Sequence, residues 1–574
     1  MIEKRKVHRH IGRWLIPGLV LLLTVTLIGY WYIKELPSNE RIEYFNGSNP
    51  IIFHGKQEGN AYIDGDQVYL PIDWFHQHLE GLLHVDKDSQ SVILTTKTKV
   101  IKIPIGKKIY YDDLEKIDSS HTHILSKKET LYISLQTIET FYPLQFKVLP
   151  KSSAVQIYIN DQEIQWGRVE GTEDEDFLRL RTSPSLKSPY VAKINSGDTV
   201  SIEEEKEDFY FVRMEDGRAG YIQKRWIEKT KKEKIVLLNP QSPYSIKEVP
   251  NPIQLVWEAV YTKTPNPNEL PQMPGINVVS PTWFHLEDGN GNVKSLASST
   301  YVKWAKDSNR QVWALFSNNF DPDLTHEALR TFEKRKKIIQ QLVKYAKEYE
   351  LDGFNIDIEN VYLEDGPLVT QFMRELTPAL HRLGLIVSMD ITFISDSENW
   401  SMFYEREKLT NIVDYLIVMA YDEHTSLSSK AGSVSSLPWV ENNLVSLLKI
   451  IPNDRLILGI PFYTRLWKET INDHGEIQLS SIALTMNEAE QWVKDHDLTP
   501  VFDEETEQYY VEYENIEENT LYKMWLEDRS SLMKRIQLTQ NYELAGIAGW
   551  SRYFGNDMAW ASFGEMYATN QNEE

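Results

Sequence analysis

From Ile253 onward the sequence is dominated by one repeated alternation. Eight apolar runs of β character, "IQLVWEAVY", "INVVSPTWF", "QVWALFS", "GFNIDIE", "LIVSMD", "YLIVMAY", "LILGIPFY" and "GIAGW", are separated by longer amphipathic stretches. These are clearest at Leu324–Tyr349, Leu368–Leu383, Leu437–Ile450 and Arg529–Tyr542, where apolar residues return every three or four positions, the period of a half-buried helix. Eight such units in roughly 320 residues suit an α/β chain closed into a (β/α)8 TIM barrel with insertions; a doubly wound open sheet more often shows fewer strands. The extra material, Arg465 to Glu527, falls between the seventh and eighth runs. Loops after the strands build the active face of such a barrel, so this insertion is expected to wall a cleft.

The fourth run, "LDGFNIDIEN" from Leu351 to Asn360, alternates in a particular way. Phe354, Ile356 and Ile358 fall on one strand face, and Asn355, Asp357 and Glu359 on the other. In a barrel the apolar face meets the helical layer and the polar face points inward, which puts Glu359 at the catalytic mouth. A solvated edge strand would not need so complete an apolar face beside such core-like neighbours. The spacing also constrains mechanism. Residues i and i+2 lie about 6.6 Å apart along a strand and approach a substrate from the same side, whereas two-carboxylate glycosidases flank the scissile bond. A tandem pair suits an acid plus an orienting group, with the nucleophile supplied by the substrate. The carbonyl oxygen of an N-acetyl sugar can be that nucleophile.

Residues 253–570 resemble glycoside hydrolase family 18, a substrate-assisted family with the fourth-strand signature DxxDxDxE. Asp352, Asp357 and Glu359 match it, and Asn355 stands where the family usually has Asp. DGxNxDxE is common in the branch acting on bacterial spore and wall glycans, so the departure points to substrate more than to loss of activity. By this resemblance Glu359 is the general acid, Asp357 orients the acetamide, and Tyr421 of "VMAYDEH" hydrogen-bonds the acetamido oxygen. Met419 and Asp422 of the same motif, Trp550 of "GIAGW" as a hydrophobic floor, and Tyr463 and Arg465 of "GIPFYTRLW" become cleft residues. Trp283 and Trp467 are candidate stacking surfaces. The resemblance implies no cofactor and no metal. The partner it implies is a polysaccharide containing N-acetylglucosamine, peptidoglycan or chitin-like. Alternatives are a chitinase, a catalytically silent glycan-binding envelope protein, and a scaffold that only positions its accessory module.

Composition narrows the rest. A formal charge of -23 over 574 residues argues against nucleic acid, which needs a basic face. With no cysteine, disulfides, thiol nucleophiles and thiolate metal sites are excluded. Trp14–Ile33, "WLIPGLVLLLTVTLIGYWYI", is uncharged, long enough for a bilayer span and flanked by aromatics. Residues 1–13 carry Lys4, Arg5, Lys6, Arg9 and Arg13, so this basic tail is expected to stay cytoplasmic, with the remainder extracytoplasmic. The competing reading is a cleaved signal peptide that would release the protein. The absence of a small-x-small site after Ile33 favours an uncleaved, single-pass membrane anchor.

Residues 48–160 carry short β runs and resemble the stalk-like domain named after the copper amine oxidase N-terminus, without implying copper. His76-x-His78 and His121-x-His123 lack supporting metal ligands, and "DEETEQ" from Asp503 reads as a solvated hairpin. Residues 172–229, with "LRLRTSPS", "INSGDTVSI" and "FYFVRMEDGRAGYI", resemble a bacterial SH3-like domain, a module that binds wall peptides or serves as a spacer. Residues 230–252, charged and proline-rich, read as a linker.

Overall fold

A computed structural model describes residues 17–26, 37–113, 115–171, 175–237, 244–471 and 477–570. They form two compact units: one comprises residues 1–80, 106–108 and 119–241, the other residues 81–105, 109–118 and 242–574.

The second unit holds the barrel. Its strands are β1 (Ile253–Glu258), β2 (Val278–Pro281), β3 (Gln311–Ser317), β4 (Gly353–Asp357), β5 (Ile386–Thr392), β6 (Tyr415–Met419), β7 (Leu456–Pro461) and β8 (Gly546–Trp550). Each pairs in parallel with its neighbours; β1 closes onto β8 and β2 onto β3. The ring explains why these runs read as apolar throughout: one face meets the helices and the other fills the barrel. Leu255, Trp257, Trp313, Leu315, Ile386, Ile417 and Ile457 pack in the interior. Phe354, Ile356 and Ile358 join the layer beneath the helices with Phe372, Met373 and Leu376.

Two helices matter for the argument, α1 (Phe332–Tyr349) and α2 (Gly366–His381). The sequence pattern read Leu324–Tyr349 as one helix. The structure breaks it, because Thr331 leaves the helical conformation and its hydroxyl accepts the Lys334 amide as an N-cap; a separate helix, Pro322–Leu329, precedes it. Between β7 and β8 the insertion forms a five-stranded antiparallel sheet and a helix, Met486–Asp495, begun by a capping box at Thr485 and Glu488. "DEETEQ" is its turn between Val501–Asp503 and Gln508–Asn515. A second five-stranded sheet, from Leu83–Asp86 to Glu115–Asp118, belongs to this unit although the chain enters it from the stalk-like sequence.

The first unit contains two four-stranded sheets and a seven-stranded SH3-like sheet. Ile227–Lys234 pairs with Glu163–Val169 at the edge of the latter, so the start of the charged "KTKKEK" run is strand, not linker. Lysines suit an edge that must resist further pairing. A cleft of about 740 Å³ in this unit is lined by Trp166, Tyr158 and Arg213 among others. Its buried Arg213 is already satisfied by Glu203 and by the Gly55 and Gly217 carbonyls.

The expected span Trp14–Ile33 is not recovered as a membrane-crossing helix. Residues 17–26 are helical with Leu19, Leu21 and Leu22 exposed, and the rest of the run lies outside the described residues. Among the described residues no helix is long and apolar enough to cross a membrane. A helix confined to residues 17–26 rises only about 15 Å, half a hydrocarbon core.

Candidate active site

The mouth of the barrel is built around the end of β4. Asn318, just past β3, clamps the backbone there: its Nδ2 donates to the Glu359 carbonyl at 2.7 Å and its Oδ1 accepts the Glu359 amide at 3.1 Å. Tyr404 Oη donates to the Ile358 carbonyl at 2.9 Å. The strand end carrying the acid is thus held from two neighbouring loops.

Asp357 is only 8% exposed, and its Oδ1 has no partner among the described residues. Burial pushes its carboxyl up to about 7, partly offset by a hydrogen bond from Glu359. Glu359 is pushed well above the ordinary carboxyl range, first by burial and then by the negative charges of Asp357, Asp390 and Asp422. Two neighbouring carboxyls in a water-poor pocket do not both ionise readily, so the arrangement favours one proton, on Glu359, directed at Asp357.

Below them lies a fully buried polar relay. Trp257 Nε1 donates to Asn355 Oδ1 at 2.8 Å, Ser280 Oγ donates to the same oxygen at 3.2 Å, and Asn355 Nδ2 donates to Asp390 Oδ1 at 2.8 Å. On the far side of β5, Tyr421 follows β6. Burial, followed by Asp390, Tyr463, Glu359 and Asp357, raises its phenol well above the usual value, so it remains a proton donor. Asp422 beside it has a left-handed backbone with φ of 61°, unusual outside glycine and frequent at functional turns. Tyr463 Oη donates to its Oδ1 at 2.6 Å and Arg465 Nη2 at 3.2 Å.

The structure therefore gathers Asn355, Asp357, Glu359, Tyr421, Asp422, Tyr463 and Arg465. Met419 ends β6, half-buried. Trp550 ends β8 with its ring edge-on to Trp257, 5.9 Å between centroids. Three sequence candidates lie elsewhere. Asp352 precedes β4, at the opposite end of the barrel, where it accepts from Lys247 Nζ at 2.7 Å and from the Val312 amide at 2.9 Å. Five residues of strand separate it from Asp357, about 17 Å, so its role is to hold the barrel bottom. Trp283 is 0% exposed in the core, donating to Thr264 Oγ1, and Trp467 is enclosed in the same way, donating to the Gly432 carbonyl. Neither offers a face to a sugar.

Sequence reasoning missed Asp390, Trp257, Asn318 and Trp400. A signal existed for Asp390: "IVSMDIT" alternates Val387, Met389 and Ile391 with Ser388, Asp390 and Thr392, the pattern of β4. Trp400 is 45% exposed. Its loop is tied to the turn after Glu359, because the Val361 amide donates to the Asn399 carbonyl at 3.0 Å and Asn399 Nδ2 to Asn360 Oδ1 at 3.4 Å.

A parallel barrel with paired carboxyls at the mouth of one strand is the architecture of a glycosidase. Residues 222–555 match Glycosyl hydrolases family 18, and the chain belongs to that family. Residues 46–159 match the Copper amine oxidase N-terminal domain and residues 176–228 the Bacterial SH3 domain. Among similar proteins, the uncharacterized glycosylase YvbX of Bacillus subtilis is 26% identical over 291 residues, 49% of this chain and 81% of that one. The cortical fragment-lytic enzyme of the same organism is 20% identical over 251 residues, 43% of this chain and little more than half, 57%, of its own. The spore cortex-lytic enzyme SleL of Bacillus megaterium is a structural neighbour with a TM-score of 0.49 and 17% identity, covering 58% of this chain and 77% of that one.

Proposed function

We propose that this protein cleaves β-1,4 linkages at N-acetylglucosamine in peptidoglycan or a related wall glycan, with retention and with the substrate's own acetamide as nucleophile. The observation that carries the reading is the Glu359–Asp357 pair: a protonated acid hydrogen-bonded to a neighbour two residues back on the same strand, both facing the mouth. In the first step Glu359 gives its proton to the glycosidic oxygen and the C1–O bond breaks. The acetamido oxygen closes onto C1, Asp357 takes the acetamide N–H, and Tyr421 donates to the ring that forms. Water then opens that ring at C1, returning a proton to Glu359, and the two inversions give net retention.

Wall glycan is favoured over chitin by Asn355, by the SH3-like module, and by relatives such as the cortical fragment-lytic enzyme. An extracytoplasmic location behind a membrane anchor is part of the proposal and rests on the run Trp14–Ile33 with its preceding basic residues.

The test uses purified peptidoglycan and N-acetylglucosamine oligosaccharides, native and de-N-acetylated, with products read by mass spectrometry. New reducing ends at N-acetylglucosamine are expected, and removing the acetyl groups should slow turnover by roughly 100-fold or more, as expected when the nucleophile is deleted. Equal turnover of the de-N-acetylated glycan would sink the substrate-assisted mechanism.

The stacking surface that sequence placed at Trp283 and Trp467 is offered instead by Trp400, beside the acid and hence on the leaving-group side. Trp400→Ala should raise KM for long glycans roughly 10-fold, with little change in kcat on short ones, since a lost sugar–aromatic contact is worth about 1 kcal/mol. An unchanged KM would remove Trp400 from the cleft.

A further inference from the structure

The mechanism above leaves one buried acid unused. Asp390, on β5, is 2% exposed, and the β4–β5 pairing runs to Ile356 opposite Met389, so Asp390 stands one step on, level with Asp357. Its orientation is fixed from below. The Asn355 oxygen is occupied by Trp257 and Ser280, so the Asn355 amide must present its N–H to Asp390 Oδ1. Asn355 and Asp390 are therefore a matched pair, amide on β4 and acid on β5. An acid at both positions would set two carboxyls at hydrogen-bond distance.

The groups that bear on Asp390 come from every side. They are Trp257 from β1, Asn355, Asp357 and Glu359 from β4 and its turn, Tyr404 from the loop after β5, and Tyr421 after β6. The nearby cations are engaged elsewhere: Arg406 with the Ser401, Thr392 and Phe393 carbonyls, and Arg465 with Asp422.

We propose that Asp390 is the charge-setting residue of this site, supplying from the fifth strand the acidic neighbour that keeps the proton on Glu359 between turnovers. It acts through Glu359 and Asp357 rather than on the substrate, so it is a positioning residue. The position where the family signature usually carries an acid, 355, holds an amide here, and the acid sits across the strand at 390. Burial and the charge of Asp357 raise Asp390 well above the usual carboxylate range, and its own charge in turn raises Glu359. The inference rests on the hydrolytic reading of the site.

The experiment compares pH profiles of kcat/KM for the full chain as wild type, as Asp390→Asn, and as the exchange Asn355→Asp with Asp390→Asn. Asp390→Asn keeps the shape and deletes the charge. Glu359 then loses its proton more readily, and the alkaline limb should move to lower pH by roughly one unit. The exchange returns the acid to β4, where Trp257 and Ser280 can donate to it and the new amide at 390 faces it. Its alkaline limb should return to the wild-type position. An unmoved limb in Asp390→Asn, or a limb that the exchange does not restore, would overturn the proposal, because a purely structural residue changes rates without moving the limb. Melting curves serve as the folding control, and Asp390→Ser removes the charge if the amide does not fold. Infrared titration of the buried protonated carboxyls reads the same shift without turnover. If no glycan is cleaved by any form, the hydrolytic reading fails, while an unshifted carboxyl titration in Asp390→Asn fails the charge-setting role separately.

Discussion

Glu359→Gln should reduce release of reducing ends from wall glycan by roughly 10³-fold while leaving the melting temperature within a few degrees of wild type. Glutamine fills the same volume and keeps the backbone clamp from Asn318, since both of those bonds go to main-chain atoms of residue 359. What it cannot do is surrender a proton to the glycosidic oxygen or take one from water. The loss should therefore fall on kcat, with KM changing little. The pH profile sharpens the assignment. In the wild type, kcat/KM should fall on the acid side, near pH 7, as the Asp357 carboxylate takes up a proton, and on the alkaline side as Glu359 loses the one it must donate. Because both carboxyls are raised, the optimum is expected to be neutral to alkaline, unlike that of a glycosidase whose acids titrate in the ordinary range. In Glu359→Gln the alkaline limb should vanish from the residual activity. Wild-type turnover in the variant would move the acid's role to another residue.

Much of this was readable from the chain because a closed parallel barrel buries both faces of every strand. The eight apolar runs could hardly be anything else once helical patterns separated them, and the fourth run's two faces announced which way Asp357 and Glu359 point. What periodicity does not encode is height along the barrel axis. Asp352 belongs to the signature in sequence but stands at the other end of β4, holding Lys247 and Val312. Side-chain burial in the loops is equally silent: Trp283 and Trp467 look like sugar platforms because they are tryptophans near strand ends, yet their indole N–H groups are committed to Thr264 and Gly432 inside the protein. The break at Thr331 escaped notice because the apolar period continues across it, so only the capping hydroxyl marks it. Asp390 was legible, but its meaning depends on contacts with Asn355 and Trp257 that lie 35 and 133 residues away in sequence. The partition of the stalk-like sequence, with Leu83–Asp118 grouping with the barrel, has the same origin. Its signals are contacts to distant α1 and α2, absent from any local window.

Those contacts lead to a second large effect, on stability. Arg335, on α1, is 0% exposed and makes a two-pronged ion pair with Glu375 of α2, 2.8 and 3.0 Å, while its Nη1 donates to the Leu329 carbonyl. Asp86, from the first strand of the inserted sheet, lies 3.6 Å from the same guanidinium and accepts the Phe332 amide at the start of α1. Arg335 is thus the one cation shared by two buried carboxylates on two elements. Arg335→Met fills the space but leaves Glu375 and Asp86 facing each other without it, and removing one partner of a buried pair costs about 3–5 kcal/mol. For a unit of this size that corresponds to a melting temperature lower by roughly 10 °C. The loss should be repaired in large part by replacing all three members with apolar residues of similar volume, because the desolvation cost is then removed along with the pair. Neither variant should move the pH limbs of kcat/KM measured well below the melting temperature, since Arg335 is not among the groups that shift Asp357, Glu359 or Asp390. A melting temperature unchanged in Arg335→Met would mean that the inserted sheet and α2 are held to α1 by apolar packing alone, with the carboxylates free to take up protons instead.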